Sequence, residues 1–263
     1  MNFFNRKPQI VYKYRDWEDA FHKQILVRRE IFLPSASKLN DPFDGNIPFE
    51  YVKRDLTSRK IYKKMFLIAK QRFGLSDKKT HELVMHYKRK GLLFDKNHIK
   101  KQQEELKKET ENRIGIFSLT PNCSNFLMWS HYANSHTGFC VGFNTNVLIE
   151  SLKSTFGWIS YTKRIPKFRL FDSDKSFAKK LLGTKGKIWK YENEFRFTKF
   201  DYANKVFVVP KEALAEILIG NKMENKNRKE ILEIVRSNYS SCKVYEMIQS
   251  RDRFELVKTQ LKL

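Results

Sequence analysis

Trp189-Lys190-Tyr191-Glu192-Asn193-Glu194-Phe195-Arg196-Phe197 is the stretch on which the reading of the fold turns. Taken as one β-strand, its side chains alternate between two faces with period two. Tyr191, Asn193, Phe195 and Phe197 then share a mostly aromatic face suited to a core. Glu192, Glu194 and Arg196 share the other, spaced about 7 Å per pair along the strand. That polar face has two readings. It is the solvated side of a half-buried strand, where a Glu–Arg pair contributes little. Or it is the floor of a glycosyl-transfer site, where a carboxylate holds a sugar hydroxyl while positive charge builds at the anomeric carbon.

The chain around this stretch has the composition of a globular protein. Hydrophobic residues make up 41% of 263 positions, with 22 Phe, 11 Tyr and 4 Trp, enough for a substantial core. No run of about 18 apolar residues exists to span a membrane, and Met1 to Lys7 lacks the apolar centre of a signal peptide. Cys123, Cys140 and Cys242 are too few and too scattered for a disulfide framework or a zinc knot, so the expected compartment is cytoplasmic. The formal net charge is +23, from 52 Lys+Arg against 29 Asp+Glu. Such an excess attracts polyanions, and nucleic acid is the partner it favours; a solubility role for the lysines is the plainer alternative.

In chain order, Ile10 to Tyr14 reads as a first strand. Asp16 is placed to cap a helix from Trp17 to Arg28 whose Trp17, Phe21, Ile25 and Leu26 share a face. Glu30 to Leu33 is a short strand, and Leu39-Asn40-Asp41-Pro42-Phe43-Asp44-Gly45 a loop dense in turn formers. Residues 51–113 change character: helix formers dominate, with 19 Lys+Arg against 8 Asp+Glu, close to half the net charge. This reads as a helical insertion of two or three helices. Strands follow at Ile114–Thr120, Phe139–Phe143 and Trp158–Tyr161, with a helix at Asn125–Ala133 and another starting at Val147. Gly142 lies inside a strand, a sign that something approaches the backbone there. Residues 162–190 carry 10 Lys+Arg and 2 acids; their Gly183-Thr184-Lys185-Gly186-Lys187 lacks the spacing of a phosphate-binding loop. Lys205–Val209, Glu216–Gly220 and Cys242–Met247 complete the strands, and Asn227 is placed to cap the helix before the last. Strands spread among helices predict a single α+β domain over 1–263.

Several stretches together resemble a known family. Tyr12-Lys13-Tyr14, Leu39 to Asp44, Phe117-Ser118-Leu119-Thr120, Met128-Trp129-Ser130-His131-Tyr132-Ala133, His136 to Phe139 and Trp189 to Arg196 occur in the order found in the bacterial domain-of-unknown-function family 2971, over roughly residues 10 to 250. The element order is also similar to the ADP-ribosyltransferase fold: a strand, helix and short strand, then a strand running into a helix with an aromatic residue, then a strand bearing paired acids. That resemblance implies a split β-sheet around a cleft and NAD as substrate. Lys13 and Tyr14 stand where an Arg or His is usual.

On this resemblance Glu194 is the acid at the ribose and Glu192 the one that orients or deprotonates the acceptor. Lys13, Tyr14, Ser118, Trp129, His131, Tyr132 and Arg196 are the implied NAD contacts, although core packing is the plainer reading of Trp129, His131 and Tyr132 taken singly. NAD suits the residues because nicotinamide leaves a cationic ring as a neutral group, through an oxocarbenium ion that a carboxylate stabilises. The implied protein is an effector, a toxin or a phage-defence enzyme, that modifies RNA or single-stranded DNA and is restrained by an inhibitory antitoxin. Two alternatives stay open. Glu192, Glu194 and Asp44 hold a divalent metal in a nuclease, with Lys190 in phase beside them, or the acidic strand is structural in a non-enzymatic nucleic-acid-binding module. With Glu194 as the catalytic acid on a non-core face, Glu194→Gln is expected to remove NAD turnover while costing no more than about 1 kcal/mol of stability.

Overall fold

A computed structural model describes residues 7–48, 51–56, 61–169 and 172–262 of the chain. The N-terminal Met1 to Arg6 lies outside the described residues, as do 57–60 within the helical insertion. The architecture is mixed α+β with several sheets, none closed.

The largest sheet begins with β1 (Ile10–Arg15), paired antiparallel to β4 (Phe139–Asn144). It continues through β10 (Leu214–Ile219), β11 (Lys243–Gln249) and β12 (Leu256–Gln260). The β10–β11 pairing is parallel, and the crossover it demands is α9 (Asn225–Asn238), whose Ile231 and Val235 are buried. A three-stranded sheet holds β3 (Ile114–Leu119), β8 (Phe195–Phe200) and β5 (Thr155–Trp158), with β8 central. Two small pairs complete the set: β2 (Glu30–Leu33) with β9 (Lys205–Val208), and β6 (Ser160–Thr162) with β7 (Thr184–Gly186).

Period-two alternation sorts β1 between two cores. Val11 joins Phe117, Phe139, Phe143 and Phe197 in the larger one, while Tyr12 and Tyr14 join Trp129, Cys140 and Leu218 in the other. Gly142 is approached as its place in a strand implied: a Cβ there would sit 2.8 Å from the Tyr12 ring and 3.0 Å from Glu216 Cβ. The described residues of 51–113 are mostly helical as expected, but in four helices and not two or three: α2 (Lys53–Leu56), α3 (Ile61–Phe73), α4 (Asp77–Lys90) and α5 (Lys96–Arg113). Helix α5 packs against a short turn at Ala36–Lys38, directly before the Leu39–Asp44 loop.

Several local readings need correction. Helix α1 (Ala20–Val27) starts three residues later than expected because Asp19, not Asp16, accepts from the Phe21 and His22 amides. Trp17 therefore precedes the helix, and Phe21 faces solvent. Asn227 lies inside α9, where its side-chain amide donates to Glu18. Strand β12 and helix α8 (Asp174–Leu182) were not anticipated.

Candidate active site

Strands β1 and β3 meet at one bridge, where Tyr12 N donates to Thr120 O at 2.7 Å and Thr120 N to Tyr12 O at 3.1 Å. Beyond it the strands part, and the Lys13 amine spans the gap to the Ser118 carbonyl at 2.9 Å. A cavity of about 110 Å³ opens at this split. Tyr12, Lys13 and Tyr14 line it from β1, Ser118 from β3, Asn40 and Asp44 from the loop, Tyr132 from helix α6 (Phe126–Tyr132), Lys185 from β7, and Glu192 and Glu194 from the segment before β8.

That segment is not the continuous strand its alternation implied. Lys187–Glu192 form a 3-10 turn, Asn193 adopts the left-handed conformation at φ 44°, and the strand starts at Phe195. Asparagine is among the few residues that visit this conformation readily. Tertiary anchors fix the turn. Asn125, which caps α6 with its side-chain oxygen, also donates from its amide nitrogen to Tyr191 O at 2.5 Å. Glu194 N donates to the Tyr161 hydroxyl at 2.7 Å, and Ile159 N to Glu194 O at 3.0 Å. The reversal at Asn193 leaves both carboxylates directed at one cation.

Burial overturns the solvated-face reading: Glu192, Glu194 and Arg196 are 5%, 3% and 3% exposed. Lys185 sits among three carboxylates, 2.6 Å from Glu192 and 3.6 Å from both Glu194 and Asp44. Arg196 donates through Nε to Glu194 Oε1 at 2.6 Å, through both terminal nitrogens to Asp44 at 2.6 and 2.7 Å, and to the Leu182 carbonyl at 3.0 Å. The Tyr132 hydroxyl donates to Glu192 Oε1 at 2.6 Å and accepts from Asn40 at 2.9 Å. Gly45 closes the loop that carries Asp44, at φ +67° and with no room for a Cβ beside Ala36.

The electrostatics follow from this packing. Burial would raise the Glu194 pKa, but Arg196 and Lys185 outweigh it and hold the carboxyl down at about 2. Burial opposes the charge of Lys185, yet Glu194, Glu192 and Asp44 together lift its pKa above the ordinary value. Glu194 is thus a buried, ionised carboxylate. Its Oε1 is taken by Arg196, while Oε2 is buried with no hydrogen-bond partner.

Of the residues implied at the site, the structure brings together Glu192, Glu194, Lys13, Tyr14, Ser118 and Tyr132 on the cavity wall. Three belong elsewhere. Trp129 is fully buried in the second core, its ring edge-on to Tyr14 and its indole nitrogen bonded to the Cys123 carbonyl, so it cannot stack on a ligand. His131 is exposed beside Tyr132 and Tyr191, off the cavity wall. Arg196 lies behind the carboxylates and positions them. Sequence reasoning missed Lys185, whose glycine-flanked setting carried the only available signal. It took Asn40 and Asp44 chiefly as members of a turn-forming loop, and Asp44 also as a metal ligand.

A metal between the three acids does not fit this arrangement, because the Lys185 ammonium already occupies the space among them. Lys190, expected beside the acids, is exposed on the 3-10 turn. Among the described residues no group of three or more His, Cys, Asp and Glu is placed to hold a metal ion, and no helix is long and apolar enough to cross a membrane.

The structure therefore defines a charge-lined cleft at a sheet split, in which Glu194 Oε2 makes no hydrogen bond and lies 3.6 Å from the Lys185 amine. Residues 128–197 match the family described as protein of unknown function (DUF2971), which bears out the resemblance over that stretch. The matched segment runs from the Met128–Ala133 motif to Arg196 and stops short of Tyr12–Tyr14 and Leu39–Asp44, so it is narrower than the span of the resembling motifs. No curated protein and no solved structure matches the chain.

Proposed function

We propose that the chain is an NAD-dependent ADP-ribosyltransferase acting on nucleic acid, with Glu194 as its catalytic carboxylate. The observation that carries this reading is Glu194 Oε2: charged, buried, and without a hydrogen bond, its nearest cation being Lys185 at 3.6 Å, on the wall of the cleft. Such an oxygen meets a ligand hydroxyl and stabilises positive charge at the carbon beside it, which is what loss of nicotinamide from NAD requires. Held ionised at neutral pH, it faces the oxocarbenium ion with its charge already in place.

Glu192 has a different part. Lys185 and Tyr132 take both its oxygens, so it orients the wall of the site and is poorly placed to accept a proton. The Tyr132 ring, fixed through its hydroxyl, offers a face to a cationic nicotinamide ring. Among the described residues no carboxylate lies within ion-pair distance of Lys13, whose amine bonds only the Ser118 carbonyl and can meet a phosphate, the role that its place in the resembling motif implies. A cavity of about 110 Å³ takes a ribose or a nicotinamide ring. The adenosine half of the dinucleotide lies outside it.

The order of elements supports the same reading. Strand β1 is followed by α1 and β2; β3 leads to α6, which ends at Tyr132; β8 follows the paired acids and lies next to β3. The basic segments also meet the cleft. Helix α5 packs beside the loop that carries Asn40 and Asp44, and 162–190 supplies Lys185. A nucleic-acid acceptor is the partner such charge favours.

Calorimetric titration of the full chain with NAD, and separately with Mg²⁺, tests this reading. Heat on adding NAD and none with Mg²⁺ supports transfer; binding of Mg²⁺ alone supports the nuclease; no heat from either leaves a structural charge network.

A further inference from the structure

Lys13 differs from every other cation in the cleft. Lys185 and Arg196 are held by Asp44, Glu192 and Glu194, whereas among the described residues no carboxylate lies within ion-pair distance of the Lys13 amine. Its one hydrogen bond goes to a neutral acceptor, the Ser118 carbonyl, and the Phe117 ring lies 5.5 Å away. Lys13 lines the cavity of about 110 Å³ at this split. Glu194 lines the same cavity, and its Oε2 makes no hydrogen bond, with the Lys185 amine 3.6 Å away.

We propose that Lys13 is a carbonyl-condensing amine, and that the unliganded cleft takes up small hydroxyaldehydes as a Schiff base at its Nζ. The hydroxyl of such a molecule donates to Glu194 Oε2 while its carbonyl carbon meets Lys13. The nitrogen lone pair adds to that carbon and the carbonyl electrons move to oxygen, which takes a proton. The proton on oxygen comes from the nitrogen, and the carbinolamine then loses its hydroxyl with the one N–H proton left, as water. Amine and aldehyde give imine and water, with no change of oxidation state.

The charges facing Lys13 favour the neutral amine this step needs. Burial holds its pKa well below the ordinary lysine value, and Arg15 on β1 and Lys185 on β7 push the same way. Glu194 and Glu192 oppose them but are already shared with Lys185 and Arg196. Tyr12 and Tyr14 from the same strand keep their protons, since burial raises both phenols. An anionic ligand would restore the ammonium and quench the reaction, so NAD should protect Lys13 if the reading under Proposed function holds.

The test treats the full chain at neutral pH with glycolaldehyde and cyanoborohydride, then maps hydroxyethyl-lysine by peptide mass spectrometry. Lys13 is expected to be labelled at least about tenfold faster than the exposed Lys187 and Lys190. Acetaldehyde, which lacks the hydroxyl, should lose much of that preference. Labelling of Lys13 no faster than of Lys187 and Lys190 overturns the proposal. Adding NAD is an independent arm: selective labelling that NAD does not suppress leaves this inference standing and counts against NAD binding in the cleft.

Discussion

Arg196 and Asp44, 152 positions apart in the chain, meet as a doubly hydrogen-bonded pair at 2.6 and 2.7 Å with both side chains buried. The pair ties the Leu39–Asp44 loop to β8 and thereby sets one wall of the cleft against its floor. Removing one partner of a buried pair leaves an uncompensated charge, at a cost of about 3–5 kcal/mol. Asp44→Ala should lower stability by that order in denaturant titration, whereas Asp201→Ala, which breaks the exposed pair with Arg113, should cost under about 1 kcal/mol.

Glu194→Gln is no longer expected to be silent for stability. Its carboxylate neutralises Arg196 in a dry setting, so the amide should cost on the order of 2 kcal/mol, more than a surface change. The variant keeps a similar shape and should retain a cooperative thermal transition at a lower midpoint. A shift indistinguishable from zero would place Glu194 in water.

Acid should erode this site within a defined window. The folded Glu194 pKa of about 2 lies below the ordinary 4.5, so its ionised form contributes stability above about pH 4.5, and that contribution is lost as pH falls toward 2. Lys185, with a raised pKa, contributes the opposite way: its stabilisation is full below the ordinary 10.5 and fades only as pH rises beyond it. The Glu194 contribution should therefore make midpoints fall on the acid side, less steeply in Glu194→Gln.

Much of the fold was legible because its signals are local. Ile10–Tyr14, Ile114–Leu119 and Phe139–Phe143 are β-branched and aromatic runs that become strands, and glycine-poor 51–113 becomes helix. The turn at Lys187–Glu192 was not legible. Its alternation fits a strand, and only distant anchors at Asn125 and Tyr161 bend it. For the same reason Glu192 and Glu194 could be singled out as acids of interest, but not Lys185 between them: its partners are set by long-range packing. Trp129 illustrates the reverse error, an aromatic on a motif helix that packs inward.

Binding of single-stranded RNA should be strongly salt-dependent. With six phosphate contacts on a single strand the affinity falls about three-hundredfold between 50 and 200 mM salt, and further with more contacts. A salt-insensitive titration would make the +23 charge a matter of solubility.

The most direct measurement is nicotinamide release from NAD by the full chain in the presence of RNA, comparing wild type with Glu194→Gln under conditions where both are folded. The account predicts steady release by the wild type and a fall of at least about a hundredfold in the variant, as for loss of a group that stabilises transition-state charge. Equal release by both proteins, or none from a wild-type chain with its thermal transition intact, would contradict it.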